Sequence, residues 1–176
     1  VPGSFMSLIG NTLLNQIVNE WHTSDPALIL EYLHQKVRKA LQQDELHSKS
    51  HASMDVCLVR IELKNRKVTF AGASRPLFII QQGVLKKIPG DPKSVGGFQR
   101  ELKRYFTNHE IMLNGETCLY LTTDGFSDQM NPQKRKFGPK QFTEILVENH
   151  EKPMPKQKDQ LISIHEIFKQ EEEQID

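Results

Sequence analysis

Residues 118–125 of the chain read CLYLTTDG, a short apolar run that ends directly in an aspartate and a glycine. A run of this length and composition is typical of a buried strand. The glycine permits a sharp turn and leaves room beside the backbone. The segment therefore predicts that the Asp124 carboxylate stands at the end of a buried strand, where a metal ion or a phosphate fits. An ordinary Asp-Gly turn between two strands is the alternative that this segment alone leaves open.

The length and charge of the chain narrow its class. Its 176 residues predict one domain, and a 37% hydrophobic content with nine phenylalanines is sufficient for a core. The 23 lysines and arginines nearly balance 22 acidic residues, so no excess of positive charge indicates a nucleic-acid partner or a membrane surface. No apolar run is long enough to span a membrane, and no secretory signal is apparent. We therefore expect a cytoplasmic protein in which Cys57 and Cys118 are free thiols.

Hydrophobic periodicity and turn residues predict helices on either side of a run of strands. Asp25 and Pro26 are the expected cap and first residue of the second helix. Together the patterns predict an α+β fold, in which helices cover antiparallel sheets. The predicted helices cover residues 4–20, 26–41, 142–148 and 156–168, and the predicted strands cover residues 56–63, 67–73, 76–81, 84–88, 105–113 and 116–123, with a further strand starting at 174–176.

Three other segments carry candidate phosphate-binding groups. The glycines of the loop at 96–97 could cradle a phosphate, although a plain loop is the alternative. Arg75 follows a strand and could contact a phosphate, or lie simply on the surface. The basic residues 134–136 could contact a phosphoprotein, or form a solvated loop. No zinc-binding spacing and no nucleotide-binding P-loop occurs in the sequence.

Several of these segments occur in the order found in one enzyme family. They are VPGSFMSLIGN at residues 1–11, VTFAGASRPLFII at 68–80, KSVGG at 93–97, FTNHEI at 106–111 and TDGFSD at 123–128. In this order and spacing, the chain resembles the metal-dependent serine/threonine phosphatases of bacteria, in the branch named for SpoIIE and RsbU. The resemblance extends over essentially the whole chain.

The resemblance implies a fold, a function and a regulatory context. The fold would be an antiparallel β-sandwich flanked by helices, in α-β-β-α layers, and residues 1–176 would form a partial domain that lacks the first strands and the last strand. The function would be the hydrolysis of phosphoserine or phosphothreonine in a regulatory protein of bacterial signal transduction. In relatives this substrate is often an anti-anti-sigma regulator in a partner-switching circuit. A sensor or receiver module usually precedes the domain, which would place the chain in the cytoplasm or on the cytoplasmic side of a membrane-anchored sensor.

The resemblance also implies a metal centre. Two divalent cations about 4 Å apart can activate water and neutralise phosphoryl oxygens, and Mn²⁺ or Mg²⁺ prefers carboxylate ligands. By resemblance, Asp124 and Asp176 are metal ligands, although a solvated terminal aspartate remains the alternative for Asp176. Gly125 is expected to shape the turn and Asp128 to support the site. No catalytic residue beyond the metal ligands, and no substrate-binding residue, can be assigned.

The sequence departs from the family pattern at its start. In the family, an Asp-x-x-Gly-His-Gly stretch precedes Val-Pro-Gly and its aspartate bridges the two metals, whereas this sequence begins at Val1. We therefore expect at most half of the metal ligands, weak binding of Mn²⁺ or Mg²⁺, and little or no turnover. The absent strands would expose a sheet edge, which invites homodimerisation. The alternative function is a non-catalytic, phosphatase-like binding or regulatory module.

Overall fold

The computed structural model describes residues 3–44, 51–101 and 103–174. The chain forms two compact units, each of which is described by itself. The first unit consists of Val1–Leu77 and Lys87–Asn114, and the second of Phe78–Lys86 and Gly115–Asp176. The assignment of residues 1–176 to a single phosphatase domain stays a prediction.

The first unit begins with two helices. Helix α1 covers Gly3–Asn15 and continues as a π-helical segment over Gln16–Glu20, so the predicted helix over residues 4–20 is confirmed in extent but widens in its last turn. Helix α2 covers Pro26–Ala40. Its start is the predicted one, because the Asp25 carboxylate accepts a hydrogen bond from the Leu28 backbone N–H at 2.9 Å.

Two antiparallel sheets complete the first unit. Strand β1 (Ser53–Met54) pairs with β6 (Val95–Gly96). Strands β2 (Val56–Glu62), β3 (Lys67–Ala73) and β7 (His109–Met112) form a second sheet in the order β2-β3-β7. Strand β7 is shorter than predicted, and sequence reasoning missed β1 and β6. The apolar stripe of α2 packs with β3 in the core, and both contribute residues that are fully buried: Leu30, Leu33, Val37, Ala71 and Ala73.

The second unit contains most of a three-stranded sheet, together with three helices. Strands β4 (Leu77–Gln81), β5 (Val84–Ile88) and β8 (Thr117–Leu121) lie in the order β5-β4-β8. The two-residue turn between β4 and β5 has positive φ at both Gln82 and Gly83, as a type I′ hairpin requires. Helices α3 (Gly125–Asp128), α4 (Pro139–Asn149) and α5 (Met154–Lys169) follow.

The predicted α+β class is confirmed by these mixed helices and antiparallel pairs. The core of the second unit is aromatic and aliphatic, with Phe78, Ile80, Phe137, Phe142, Ile145 and Leu146 buried. Cys57 and Cys118 are free thiols, as expected. None of the helices in the described ranges is both long and apolar enough to cross a bilayer. Gln174 is not in a strand, and the other two residues of the predicted terminal strand lie outside the described residues.

The cap of α2 generates the first prediction. Besides Leu28, the Asp25 carboxylate accepts a hydrogen bond from Asn108 Nδ2 at 2.7 Å, so Asp25→Ala removes two bonds at once. We expect this variant to lower the free energy of unfolding by about 1–2 kcal/mol, measured by urea denaturation. Asp25→Asn retains an acceptor oxygen and is the matched control. A loss equal to that of the alanine variant would contradict the cap assignment.

Candidate functional site

The predicted Asp-Gly motif lies where a strand of the second unit meets a short helix. Strand β8 ends at Leu121, and Asp124 immediately precedes α3. The Asp124 carbonyl accepts hydrogen bonds from Asp128 N at 2.8 Å and Ser127 Oγ at 3.0 Å. The Asp124 side chain does not cap the helix. Asp124 is half-buried and follows a strand, as the sequence predicted, although β8 is itself only half-buried. The alternative of an Asp-Gly turn between two strands is not what the structure shows, because helix α3 follows.

An aromatic cluster holds α3 in position. The ring of Phe126 lies 5.0 Å from Phe137, 5.2 Å from Phe142 and 5.0 Å from His165, measured between ring centroids. Edge-to-face and tilted pairs at these distances are favourable beyond the area that they bury. Because Phe126 is two residues from Asp124, this packing restrains the backbone from which the Asp124 carboxylate projects. Sequence reasoning missed both α3 and Phe126, although an aromatic residue directly after Asp-Gly was a visible signal.

A cleft of about 620 Å³ opens beside this junction. Thr123 and Gly125 contribute to one side, Lys158 and His165 of α5 to another, and Gln174 also lines it. The cleft supplies the open space that the sequence predicted beside the strand end. The rest of the lining includes the carboxylate of Glu166 and several apolar side chains of β8 and α5. One positive and one negative side chain, hydroxyl groups and apolar surface therefore border a space next to Asp124.

The buried side chain of Gln129 ties a later segment to the junction. Its Nε2 donates to the Met130 carbonyl at 3.0 Å and to the Glu173 carbonyl at 3.1 Å. Gln129 is fully buried, so these bonds are costly to lose. The segment around Glu173 is thereby held beside α3. Asp176 lies outside the described residues, and its role as a metal ligand stays a prediction.

The two predicted supporting residues occupy the ends of α3. Gly125 is its first residue, and its amide lies 3.4 Å from Thr123 Oγ1. Asp128 is its last residue and forms an ion pair with Lys136 at 3.1 Å. Lys134 likewise forms an ion pair, with Glu172 at 2.8 Å. Two of the three basic residues proposed as phosphoprotein contacts are thus already engaged within the second unit. The roles of Gly125 and Asp128 in a metal site stay predictions.

The described residues do not by themselves complete a metal centre. Within residues 3–44, 51–101 and 103–174, no three histidine, cysteine, aspartate or glutamate side chains are grouped so that they could hold a metal ion. Asp124 thus provides a single carboxylate, whereas Mn²⁺ and Mg²⁺ sites require several oxygen ligands. A complete centre therefore needs ligands in addition to those that the described residues group together.

The glycine loop of the first unit is held against α2 by side chains. The Gly96 N–H donates to His34 Nδ1 at 3.0 Å, and the Gly97 N–H donates to Gln43 Oε1 at 2.9 Å. The Gly97 carbonyl accepts a hydrogen bond from Arg38. Both glycines have positive φ, 76° and 73°, and a Cβ on Gly96 would lie 2.8 Å from Val37 Cγ1. Since both amides already have partners, the loop does not present them to a phosphate.

The tautomer of His34 follows from these bonds. A backbone N–H can only donate, so Nδ1 carries no proton and Nε2–H donates to Gln99 Oε1 at 2.7 Å. His34 is only 2% exposed. Burial lowers the pKa of His34 below 6.5, against a smaller raising effect of the Gln99 bond, and Arg104 and Arg38 lower it further. His34 is therefore neutral when the loop is in place.

The remaining candidate, Arg75, is engaged inside the first unit. Its guanidinium forms an ion pair with Asp55 at 3.4 Å, and its side chain is 17% exposed. The charge of Arg75 is thus balanced by a neighbouring carboxylate.

With this geometry described, comparison with solved structures shows the class of protein. The chain matches the PP2C domain of SiaA from Pseudomonas aeruginosa with a TM-score of 0.86 and 26% identity, covering 100% of this chain and 67% of that one. It is less similar to the phosphatase domain of the cell-fate determinant SpoIIE from Bacillus subtilis, with a TM-score of 0.48, 14% identity, and coverage of 95% and 69%. The fold is that of a PP2C-type phosphatase domain, which confirms the predicted fold class.

The chain belongs to the Stage II sporulation protein E (SpoIIE) family, whose model matches residues 1–174. The resemblance drawn from the sequence motifs is therefore confirmed. A search of curated proteins gives no match.

His34 makes the stability of the first unit depend on pH. Because its pKa is lower in the folded than in the unfolded chain, the unfolded state binds the additional proton first. We expect the contribution of His34 to the free energy of unfolding to be constant above about pH 7. The free energy should decline as the pH falls below 6.5. The measurement is the midpoint of thermal unfolding at pH 7.5 and 5.5. The decline should be smaller in His34→Gln, whereas His22→Gln, at an exposed position, should retain it in full. Equal declines in all three proteins would contradict the assignment.

The aromatic cluster generates a prediction for the Asp-Gly junction. Phe126→Ala removes three ring contacts from a partly buried site, and we expect it to lower the free energy of unfolding by about 2–4 kcal/mol. Phe126→Leu fills most of the space and should lose less. Urea denaturation followed by circular dichroism measures both. A loss below 0.5 kcal/mol in the alanine variant, about the size of an ordinary surface substitution, would show that the ring does not anchor α3.

Proposed function

We propose that the chain is part of a phosphatase domain that hydrolyses phosphoserine or phosphothreonine in a regulatory protein. The observation that supports this proposal is the position of Asp124, half-buried at the end of β8 beside a cleft of about 620 Å³, in a chain of the SpoIIE family. A carboxylate at a strand end next to an open cleft is the arrangement that a cation-assisted phosphate site needs.

The PP2C class is generally metal-dependent, and we infer that Asp124 supplies one carboxylate to a Mn²⁺ or Mg²⁺ site. Asp176 is the first candidate for a second ligand. This inference is supported by Gln174, which lines the same cleft as Thr123 and Gly125. The hydrogen bond from Gln129 to the Glu173 carbonyl holds the preceding segment there. The described residues alone bring too few ligands together, so we expect weak metal binding by this chain.

The cleft beside Asp124 suits a phosphorylated side chain. Lys158 offers positive charge to the phosphate, and Thr123 offers a hydroxyl group. The exposed side chains of Met154 and Ile162 on α5 offer apolar contacts to the polypeptide that carries the phosphate. These groups bind and orient the substrate, while the metal site would supply the activated water.

The regulatory context is proposed by analogy with the family. An anti-anti-sigma-like regulator in a cytoplasmic partner-switching circuit is the first candidate substrate, and a sensor or receiver module preceding α1 is the first candidate regulator. The exposed apolar side chains of Phe5 and Leu8 on α1, 51% and 62% exposed, support a contact with such a module or with a second copy of the chain.

The test of the proposed function is Mn²⁺ binding, measured by isothermal titration calorimetry, together with hydrolysis of p-nitrophenyl phosphate. We expect weak binding and little turnover by this chain. Asp124→Asn should abolish the measurable binding, because it removes one negative ligand. Asp159→Asn removes a carboxylate at an exposed position of α5 and should leave binding unchanged.

Two results would contradict the proposal. Undiminished Mn²⁺ binding by Asp124→Asn would exclude Asp124 as a ligand. Rapid turnover by the chain would show that the metal ligands have been assigned wrongly. Absence of binding in every variant would favour the alternative function, a non-catalytic module that binds a partner without cleaving phosphate.

A further inference from the structure

A second cleft, in the first unit, is lined mainly by positive side chains. Its volume is about 620 Å³, and the strand pair β1–β6 contributes Ser53 and Gly96 to it. Glu101 is the only carboxylate among the described residues that line it. The cationic residues around it are Lys93, Arg100, Lys103 and Arg104, with His51 at its edge. We refer to this cleft as the basic cleft.

Within the basic cleft, the charges of Arg104 and Glu101 neutralise each other. Arg104 is 8% exposed, and its Nε donates to Glu101 Oε1 at 2.6 Å. Its remaining nitrogens donate to the carbonyls of Ser94 at 2.7 Å and Phe98 at 2.9 Å. Arg104, together with backbone hydrogen bonds, holds the pKa of Glu101 at about 2, so this carboxylate stays charged and paired. Arg104 therefore holds the loop together, and Glu101 does not offset the other cations.

The other three cationic side chains of the basic cleft are not neutralised by a carboxylate among the described residues. Within the described parts of the chain, Lys93, Arg100 and Lys103 form no ion pair with a carboxylate. Arg100 lies 5.7 Å from the ring centroid of Phe98, and Lys103 lies 4.9 Å from that of Tyr105. A neighbouring ring restrains a cation without neutralising its charge. The cleft thus concentrates three net positive charges in a chain whose total formal charge is +1.

The backbone of the cleft is already ordered. The Gly96 amide is bonded to His34 of α2 and the Gly97 amide to Gln43, in the turn after α2. The carbonyls of Ser94 and Phe98 are bonded to Arg104. A ligand would therefore be recognised by side chains and not by backbone amides. Because the loop needs no rearrangement, little conformational entropy is lost on binding.

We propose that the basic cleft binds the phosphate group of a phosphorylated segment of a partner protein. A phosphoserine or phosphothreonine carries a charge of about −1.5 to −2 and three acceptor oxygens, which suit three cations, whereas a single carboxylate would leave most of the positive charge unbalanced. The exposed rings of Phe98 and Tyr105, 65% and 56% exposed, provide apolar contacts for residues that flank the phosphate. These rings favour a peptide over free phosphate as the ligand.

This proposal concerns binding, and it does not require that the chain hydrolyse phosphate. The basic cleft belongs wholly to the first unit, and Asp124 belongs to the second. A test in the presence of EDTA therefore reports on the cleft alone, and failure of the metal-binding proposal would leave its result unaffected.

The test is fluorescence anisotropy with a short labelled peptide that carries one phosphoserine among neutral residues, titrated with the chain in EDTA buffer. The triple variant Lys93→Gln, Arg100→Gln, Lys103→Gln should weaken binding by about tenfold or more, since it removes several charge-assisted contacts. The matched control is Lys39→Gln, Lys64→Gln, Lys156→Gln, which removes the same number of positive charges at exposed positions elsewhere. The control should change the affinity by less than about twofold, because distant exposed charges are screened at physiological salt.

The outcomes separate the proposal from its rivals. Equal weakening by the two triple variants would overturn it in favour of diffuse attraction by net charge. Equal binding of the unphosphorylated peptide, or inorganic phosphate that binds as tightly as the phosphopeptide, would also overturn it. Circular dichroism and thermal unfolding establish that both variants are folded, so a selective loss in the cleft variant supports the proposal.

Discussion

The irregular segments of this protein depend on one constraint, which is that a buried polar group must keep its hydrogen-bond partners. His34 receives the Gly96 amide, and Arg104 donates to the carbonyls of Ser94 and Phe98. In the second unit, Gln129 Nε2 donates to the carbonyls of Met130 and Glu173, whereas its Oε1 is buried without a partner among the described residues. Each of these side chains is buried and holds a stretch of backbone that belongs to no helix or long strand. The cleft beside Asp124 and the basic cleft are both bordered by backbone segments that such hydrogen bonds hold in place.

Pairing of charges inside the fold also determines which cationic side chains can bind a ligand. Arg104 and Arg75 carry charges that are balanced by carboxylates inside the first unit. Lys93, Arg100 and Lys103 lack that balance. Glu101 is the only carboxylate among the described residues that line the cleft, and Arg104 already engages it. The chain is therefore nearly neutral in total, although positive charge is concentrated locally at the basic cleft. The balanced total charge argued against a nucleic-acid partner. It gave no indication of this cleft, because a total does not show where the charges lie.

Much of the fold could be predicted from local pattern. The cap of α2, strands β3 and β5, and the helical extent of residues 3–20 follow from turn chemistry and apolar spacing, and the structure confirms them. Strands β1 and β6 were missed because two-residue strands contain too few side chains to show a period. Helix α3 was missed because its four residues give no helical repeat, and it depends on the packing of Phe126. Strand β7 was overextended because residues 105–108 are partly apolar but make no ladder.

Some features of the candidate site could likewise be predicted from local sequence, and others could not. The sequence by itself determined that a carboxylate follows an apolar strand at Asp124 and that the chain resembles the SpoIIE phosphatases, since residue type and order are local properties. That this strand is only half-buried was not predicted. Only the tertiary structure decided that Phe126 anchors the junction, that the Gly96 and Gly97 amides are bonded to His34 and Gln43, and that three cations share a cleft. These features arise from contacts between residues far apart in the chain. Such contacts depend on how burial and hydrogen bonding are satisfied together, which no single segment specifies.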